Sequence, residues 1–262
     1  MWGLMMRVKI LSLIFVLILC FNVQAFQQQG AGADVGITCP SYYASAILSM
    51  NFEEGLNACD SSGNAVLFTN PGSADIGAYG HTGQGMKIDA ENEIITLTQS
   101  AKQYFDETAD QTLCLKIKIS EELTNEAYIF EVVDVEDNDQ IMVKIADPNP
   151  PDMTGYYNTE SDANAATGTA IDINTWEVIG YSWEGTGAGV AGDNSANAGG
   201  SATWDDGWEN DADELNESVG ESPINITIGG VSWTRDTETI TIDEWALMSG
   251  YEADCSTLFS PE

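Results

Sequence analysis

Basic residues are scarce in this chain. It holds 8 Lys and Arg against 42 Asp and Glu, with one histidine, for a formal net charge of −34. Such a field repels nucleic-acid phosphates and anionic membrane surfaces and attracts cations, so nucleic acid is excluded as a partner. Ordinary solvation in salty surroundings accounts for most of the acids, because screening over roughly 10 Å makes dense carboxylates tolerable. The scarcity of histidine removes the usual base for a serine or cysteine nucleophile. His81 sits between Gly80 and Thr82 in a Gly-rich turn and reads as a plain surface residue. With one imidazole and no CxxC pair, a zinc site has no basis.

Long apolar runs are also missing. The longest, Ile10 to Phe21, covers about 12 residues, against the roughly 20 that a membrane span needs. Arg7 and Lys9 precede it and Val23-Gln24-Ala25 follows, the layout of an export signal cleaved after Ala25. A retained anchor is the alternative. Leu17-Ile18-Leu19-Cys20 superficially resembles a lipoprotein box, but Leu19 is bulky where a small residue is required. The expected organisation is a signal over residues 1–25, a Gln- and Gly-rich flexible leader over 26–45, and one β domain over 46–260. A secreted or cell-surface location follows, without membrane insertion once the signal is removed.

Cysteine totals five. Setting Cys20 aside with the signal leaves Cys39, Cys59, Cys114 and Cys255, an even number suited to two disulfides in an exported protein. Cys39–Cys59 with Cys114–Cys255 is the preferred pairing, and Cys39–Cys255, tying the termini together, is its rival.

What the chain does have is period-two alternation. Leu48, Met50 and Phe52 alternate with Ser49 and Asn51. Leu113, Leu115, Ile117 and Ile119 alternate with Cys114, Lys116 and Lys118, and Ile224, Ile226 and Ile228 with Asn225 and Thr227. Each set predicts a strand with one buried face. Further strands are predicted over 93–98, 128–135, 140–146, 176–183 and 237–248. Helix signals are confined to a short turn over 251–259. Many strands separated by Gly, Asn, Asp and Pro turns predict an all-β antiparallel two-sheet sandwich. Residues 185–221, rich in Gly, Ala, Asn and acids, read as a long acidic loop or hairpin insertion.

The order of several segments resembles the concanavalin A-like superfamily, in particular laminin G-like jelly-roll domains. Phe52-Glu53-Glu54-Gly55 and Asp60-Ser61-Ser62-Gly63-Asn64 resemble the opening strand and turn. Gly83-Gln84-Gly85-Met86 is similar to the Gly-x-Gly strand. Asn174 to Trp183 resembles the central Trp-bearing strand, and Ile242-Asp243-Glu244-Trp245 the closing one. The resemblance implies a jelly roll and a structural calcium ion where the first and last strands meet, at the positions of Glu53, Gly83 and Asp243. Two departures stand out. Cys114-Leu115 occupies a strand that usually carries a Trp, and the acidic stretch over 185–221 replaces the hairpin expected after the central strand.

A glycan site needs exposed aromatic faces beside amides and carboxylates. Trp204 and Trp208, set among Asp205 and Asp206, fit this, as do Tyr156 and Tyr157 after a Pro-rich turn. Trp176, Trp183 and Trp245 are expected in the core. A second cation candidate, Glu209 to Glu214, lacks the spacing of an EF-hand loop. The E-x-D-x-x-E strand of sandwich glycosidases has only a mis-spaced counterpart at Glu131 to Glu136, although Asp134 and Glu136 would share a face. The expected function is therefore a non-catalytic module that binds a glycan or glycoprotein surface, with a structural calcium ion as the cofactor the resemblance implies. The alternatives are a structural or adhesive surface protein and, third, a divergent glycoside hydrolase.

Overall fold

The computed structural model describes residues 46–53, 55–90, 92–97, 104, 109–120, 127–134, 139–146, 151–157, 165–168, 170–185, 194–197, 205–206, 224–231 and 239–255. The expected signal and leader, and Glu209 to Glu214, lie outside them. All described residues belong to one compact unit, Cys39–Glu262.

In chain order the strands are β1 (Ala46–Met50), β2 (Asn57–Asp60), β3 (Ala65–Leu67), β4 (Asp75–Tyr79), β5 (Gln84–Ile88), β6 (Ile94–Leu97), β7 (Gln111–Ile119), β8 (Ala127–Asp134), β9 (Asp139–Ala146), β10 (Asp152–Tyr157), β11 (Ala165–Thr167), β12 (Trp176–Trp183), β13 (Asn194–Asn197), β14 (Asp205–Asp206), β15 (Ile224–Val231) and β16 (Ile240–Ser249). They form a two-sheet antiparallel β-sandwich. One sheet has the order β14-β13-β12-β7-β16-β1-β2-β3, with β5 also on β16 and β4 on β5. The other has the order β11-β10-β9-β8-β15-β6.

The alternation read from the sequence sets the faces. Leu113, Leu115, Ile117 and Ile119 of β7 point into the shared core with Ile141, Val143 and Ile145 of β9 and Ile226 and Ile228 of β15. Phe68 meets Trp245 edge-on at 5.5 Å. Each such buried side chain contributes about 1.5–3 kcal/mol relative to exposure. The segment after Gly185 contains β13 and β14, which extend the larger sheet beyond β12.

On the outer face of that sheet, Ala46, Cys114, Ala246, Met248 and Cys255 form a second apolar cluster. Cys114 and Cys255 are disulfide-bonded, so Cys255 is not available to Cys39. Cys59 is also disulfide-bonded, to a cysteine outside the described residues, where Cys39 also lies. The turn leading to Cys255 is clamped polar group by polar group. The Glu252 N–H donates to Ser182 Oγ at 2.7 Å, the Ala253 N–H to Thr112 Oγ1 at 3.1 Å, and the Thr112 hydroxyl to the Gly250 carbonyl at 2.7 Å. Gly250 to Glu252 form a bend and turn, Ala253 and Asp254 are irregular, and Cys255 is in 3-10 conformation; the rest of the expected helical turn lies outside the described residues.

Because the Cys114–Cys255 bridge closes a loop of 141 residues, replacing both cysteines by Ala should lower stability by about 2–5 kcal/mol. Urea unfolding under non-reducing conditions measures this, and an unchanged midpoint would contradict the role given to the bridge.

Candidate functional site

The strand β16 pairs with β7 along one edge. Along the other it pairs with β1 from Trp245 to Met248 and with β5 from Ile240 to Ile242. Asp243 and Glu244 lie where one partner ends and the other begins, and the register with β7 slips at this point. The bulge turns the Asp243 carboxylate into a notch between the end of β1 and the start of β5.

The loop joining β4 to β5 fills that notch. Asp243 Oδ2 accepts the backbone N–H groups of His81, at 3.0 Å, and Thr82, at 3.2 Å. From the other side, Glu53 Oε1 accepts the Gln84 N–H at 2.6 Å, and the Gly80 N–H closes the loop onto the Gly83 carbonyl at 3.1 Å. Gly83 has φ 76°, a left-handed conformation that favours glycine. A methyl group on Gly80 would collide with Asp243 Oδ1 and the Gln84 carbonyl. The structure thus brings Glu53, Gly83 and Asp243 to one loop.

Asp243 is fully buried, and its Oδ1 has no hydrogen-bond partner. Burial pushes its carboxyl above the ordinary range. The N–H groups of Thr82 and His81 oppose this, as does the charge of Lys116. Burial, helped by the charge of Asp172, also raises Glu177. Lys87 and Asp89 pair on β5 and after it. Their hydrogen bond raises the lysine and lowers the aspartate.

The donor set fits a calcium ion in part. Asp243 Oδ1 is an orphaned buried oxygen, and Glu53 Oε2 is not used by the loop. No cluster of three or more His, Cys, Asp or Glu side chains suited to a metal occurs among the described residues. Backbone carbonyls and water would therefore complete the six to eight oxygens that calcium takes.

Trp204 and Trp208 lie outside the described residues. Asp205 and Asp206 form β14, paired to β13, and Tyr157 ends β10. Tyr156 lacks the exposure that stacking on a sugar requires. It is 5 % exposed and lies under Lys144, whose Nζ stands 4.9 Å from the ring centroid. Strand parity sets this: Tyr156 is opposite Met142, one alternation from Lys144 on the same face. Asp134 ends β8, and Glu136 is outside the described residues.

Trp183 and Trp245 are buried as expected, but Trp176 is a correction. It is half-buried on the outer face, because Ile179, Tyr181 and Trp183 take the inward parity of β12. The exposed His81 ring meets it edge-on at 5.9 Å and 83°. The alternation Trp176, Val178, Gly180, Ser182 was the signal that would have placed it outward.

No family model matches the chain, and no curated protein matches its sequence. Solved structures do. The chain is similar to a botulinum neurotoxin type G receptor-binding domain, with 18 % identity and a TM-score of 0.53 over 82 % of this chain and 50 % of that one. It is similar to the serotype D ligand-binding domain in complex with N-acetylneuraminic acid at 13 % identity and a TM-score of 0.57, with the same coverage. A serotype D binding domain gives 14 % and 0.58, again over 82 % and 50 %. The chain spans about half the length of these domains, and at this identity the likeness is one of fold. Among the described residues no helix is long and apolar enough to cross a membrane.

A carboxyl with a raised pKa holds a proton in the folded state that the unfolded chain has released. Its contribution is therefore most favourable at acid pH and is lost as pH rises through the raised value. Asp243→Asn keeps an acceptor for His81 and Thr82 and removes the buried charge. In calcium-free buffer this variant should gain stability relative to the parent as pH rises from about 4 to 7. Urea midpoints across that range test it, and parallel profiles would refute it.

Proposed function

We propose that the chain is an exported, non-catalytic module of the concanavalin A-like, laminin G-like kind that binds glycans or glycoprotein surfaces. One observation carries this: the two-sheet sandwich is shared with receptor-binding domains, one of them solved with N-acetylneuraminic acid. The single histidine and the disulfides support a binding role in an oxidising compartment. A glycan array of neutral and acidic oligosaccharides probed with the folded protein should show selective binding. Retention of no glycan at all would overturn the reading.

The reading includes a structural calcium ion at Glu53, Gly83 and Asp243, supported by the partnerless Asp243 oxygen. The ion would supply the positive charge that this buried carboxylate lacks. A ligand present at a hundred times its Kd adds about 2.7 kcal/mol, and a domain of this size shifts by roughly 2–4 °C per kcal/mol. Millimolar calcium should therefore raise the melting temperature by several degrees, and Asp243→Asn should abolish the rise. A melt unmoved by calcium removes the ion.

A further inference from the structure

The outer face of the larger sheet carries basic residues beside the Trp176–His81 contact. Of the eight basic residues, two (Arg7 and Lys9) precede Ala25. Three of the remaining six, Lys87, Lys116 and Lys118, sit here. Register sets the arrangement. Lys87 of β5 stands opposite Thr241, Thr241 opposite Lys118, and Lys118 opposite Trp176. Lys116 lies one alternation along, between Glu244 and Val178. Lys87 is engaged by Asp89, and Lys116 is nearly buried.

Lys118 is different. It is half-exposed and makes no hydrogen bond, ion pair or ring contact among the described residues. In a chain of 42 acids, a lysine left unpaired beside a half-exposed tryptophan and an exposed histidine is unusual. Two rigid supports hold the group. The turn before Trp176 is anchored by the Asn174 N–H on the Ile119 carbonyl at 2.7 Å, with Asn174 at φ 63°. The loop bearing His81 is anchored by Asp243.

The geometry points to a subsite for a carboxylate-bearing saccharide, formed by Trp176, Lys118 and His81. This rests on the glycan-binding reading and names the ligand class. The indole offers an apolar face to sugar C–H groups. The free ammonium supplies a charge-assisted bond to a carboxylate, and the imidazole supplies a donor for a hydroxyl. An acidic sugar approaching this protein meets repulsion from most of the chain. An unpaired cation next to an aromatic plane is the local feature that offsets it.

Calorimetry with a sialyl-terminated oligosaccharide, an oligoglucuronate and the desialylated counterpart tests the assignment and separates the two sources of carboxylate. An acidic sugar should bind at least about tenfold more tightly than its neutral counterpart. Lys118→Glu should weaken acidic binding by roughly ten- to a hundredfold, with the melting temperature unchanged. Lys118→Arg should retain binding, and Trp176→Ala should weaken acidic and neutral sugars alike. Equal binding of acidic and neutral sugars, or acidic binding indifferent to Lys118→Glu, overturns the subsite and leaves the glycan reading intact. The same holds for binding lost in Trp204→Ala with Trp208→Ala but not in Lys118→Glu. A protein that binds no glycan overturns both.

Discussion

The double pairing of β16 is the constraint from which the larger sheet takes its shape. Ten residues, Ile240–Ser249, hydrogen-bond to β7 along one edge and to two different strands in turn along the other. A ladder that changes partners leaves a gap at the change, and any backbone or carboxylate buried there must find another partner. The bulge at Asp243 and the loop Gly80–Gly83 answer that requirement together. The carboxylate needs the loop's N–H groups, and the loop needs the carboxylate to hold its turn.

His81 couples the two sites argued above. Its N–H binds Asp243 and its ring rests on Trp176, so the loop that closes the notch also holds one wall of the aromatic cluster. An event at Asp243, whether protonation or cation capture, bears on the position of the imidazole.

Much of the fold was legible because burial follows alternation. Leu113 to Ile119 declared both faces of β7, and the segment Trp176–Trp183 was bounded correctly from its sequence. The strands β2, β3, β4, β10, β11, β13 and β14 were not read, since two to six residues, many of them small or polar, carry too little periodicity. Glu53, Gly83 and Asp243 were placed near one another by resemblance, and the loop geometry is consistent with that placement. The reading failed where residue type was allowed to outweigh parity. Trp176 was assigned to the core because it is a tryptophan, although its parity is that of the outer face; Tyr156 does take the outer parity, and its burial comes from the Lys144 that covers it. Nothing in the sequence marked Lys118 as unpaired, because pairing across strands depends on a register that one chain of residues does not display.

The covalent link between Cys114 and Cys255 has a mechanical consequence. Tension applied between the two ends of the chain passes from the N-terminal side through β7 at Cys114 and leaves through the last turn. The residues enclosed, including the partner-changing strand and every strand of the smaller sheet except β6, are bypassed. Before Cys114 a second disulfide, at Cys59, closes a further loop, so only the stretches outside the two bridges can be drawn out while the bonds are intact. The sandwich would then behave under load as a short extensible lead attached to a closed, inextensible ring.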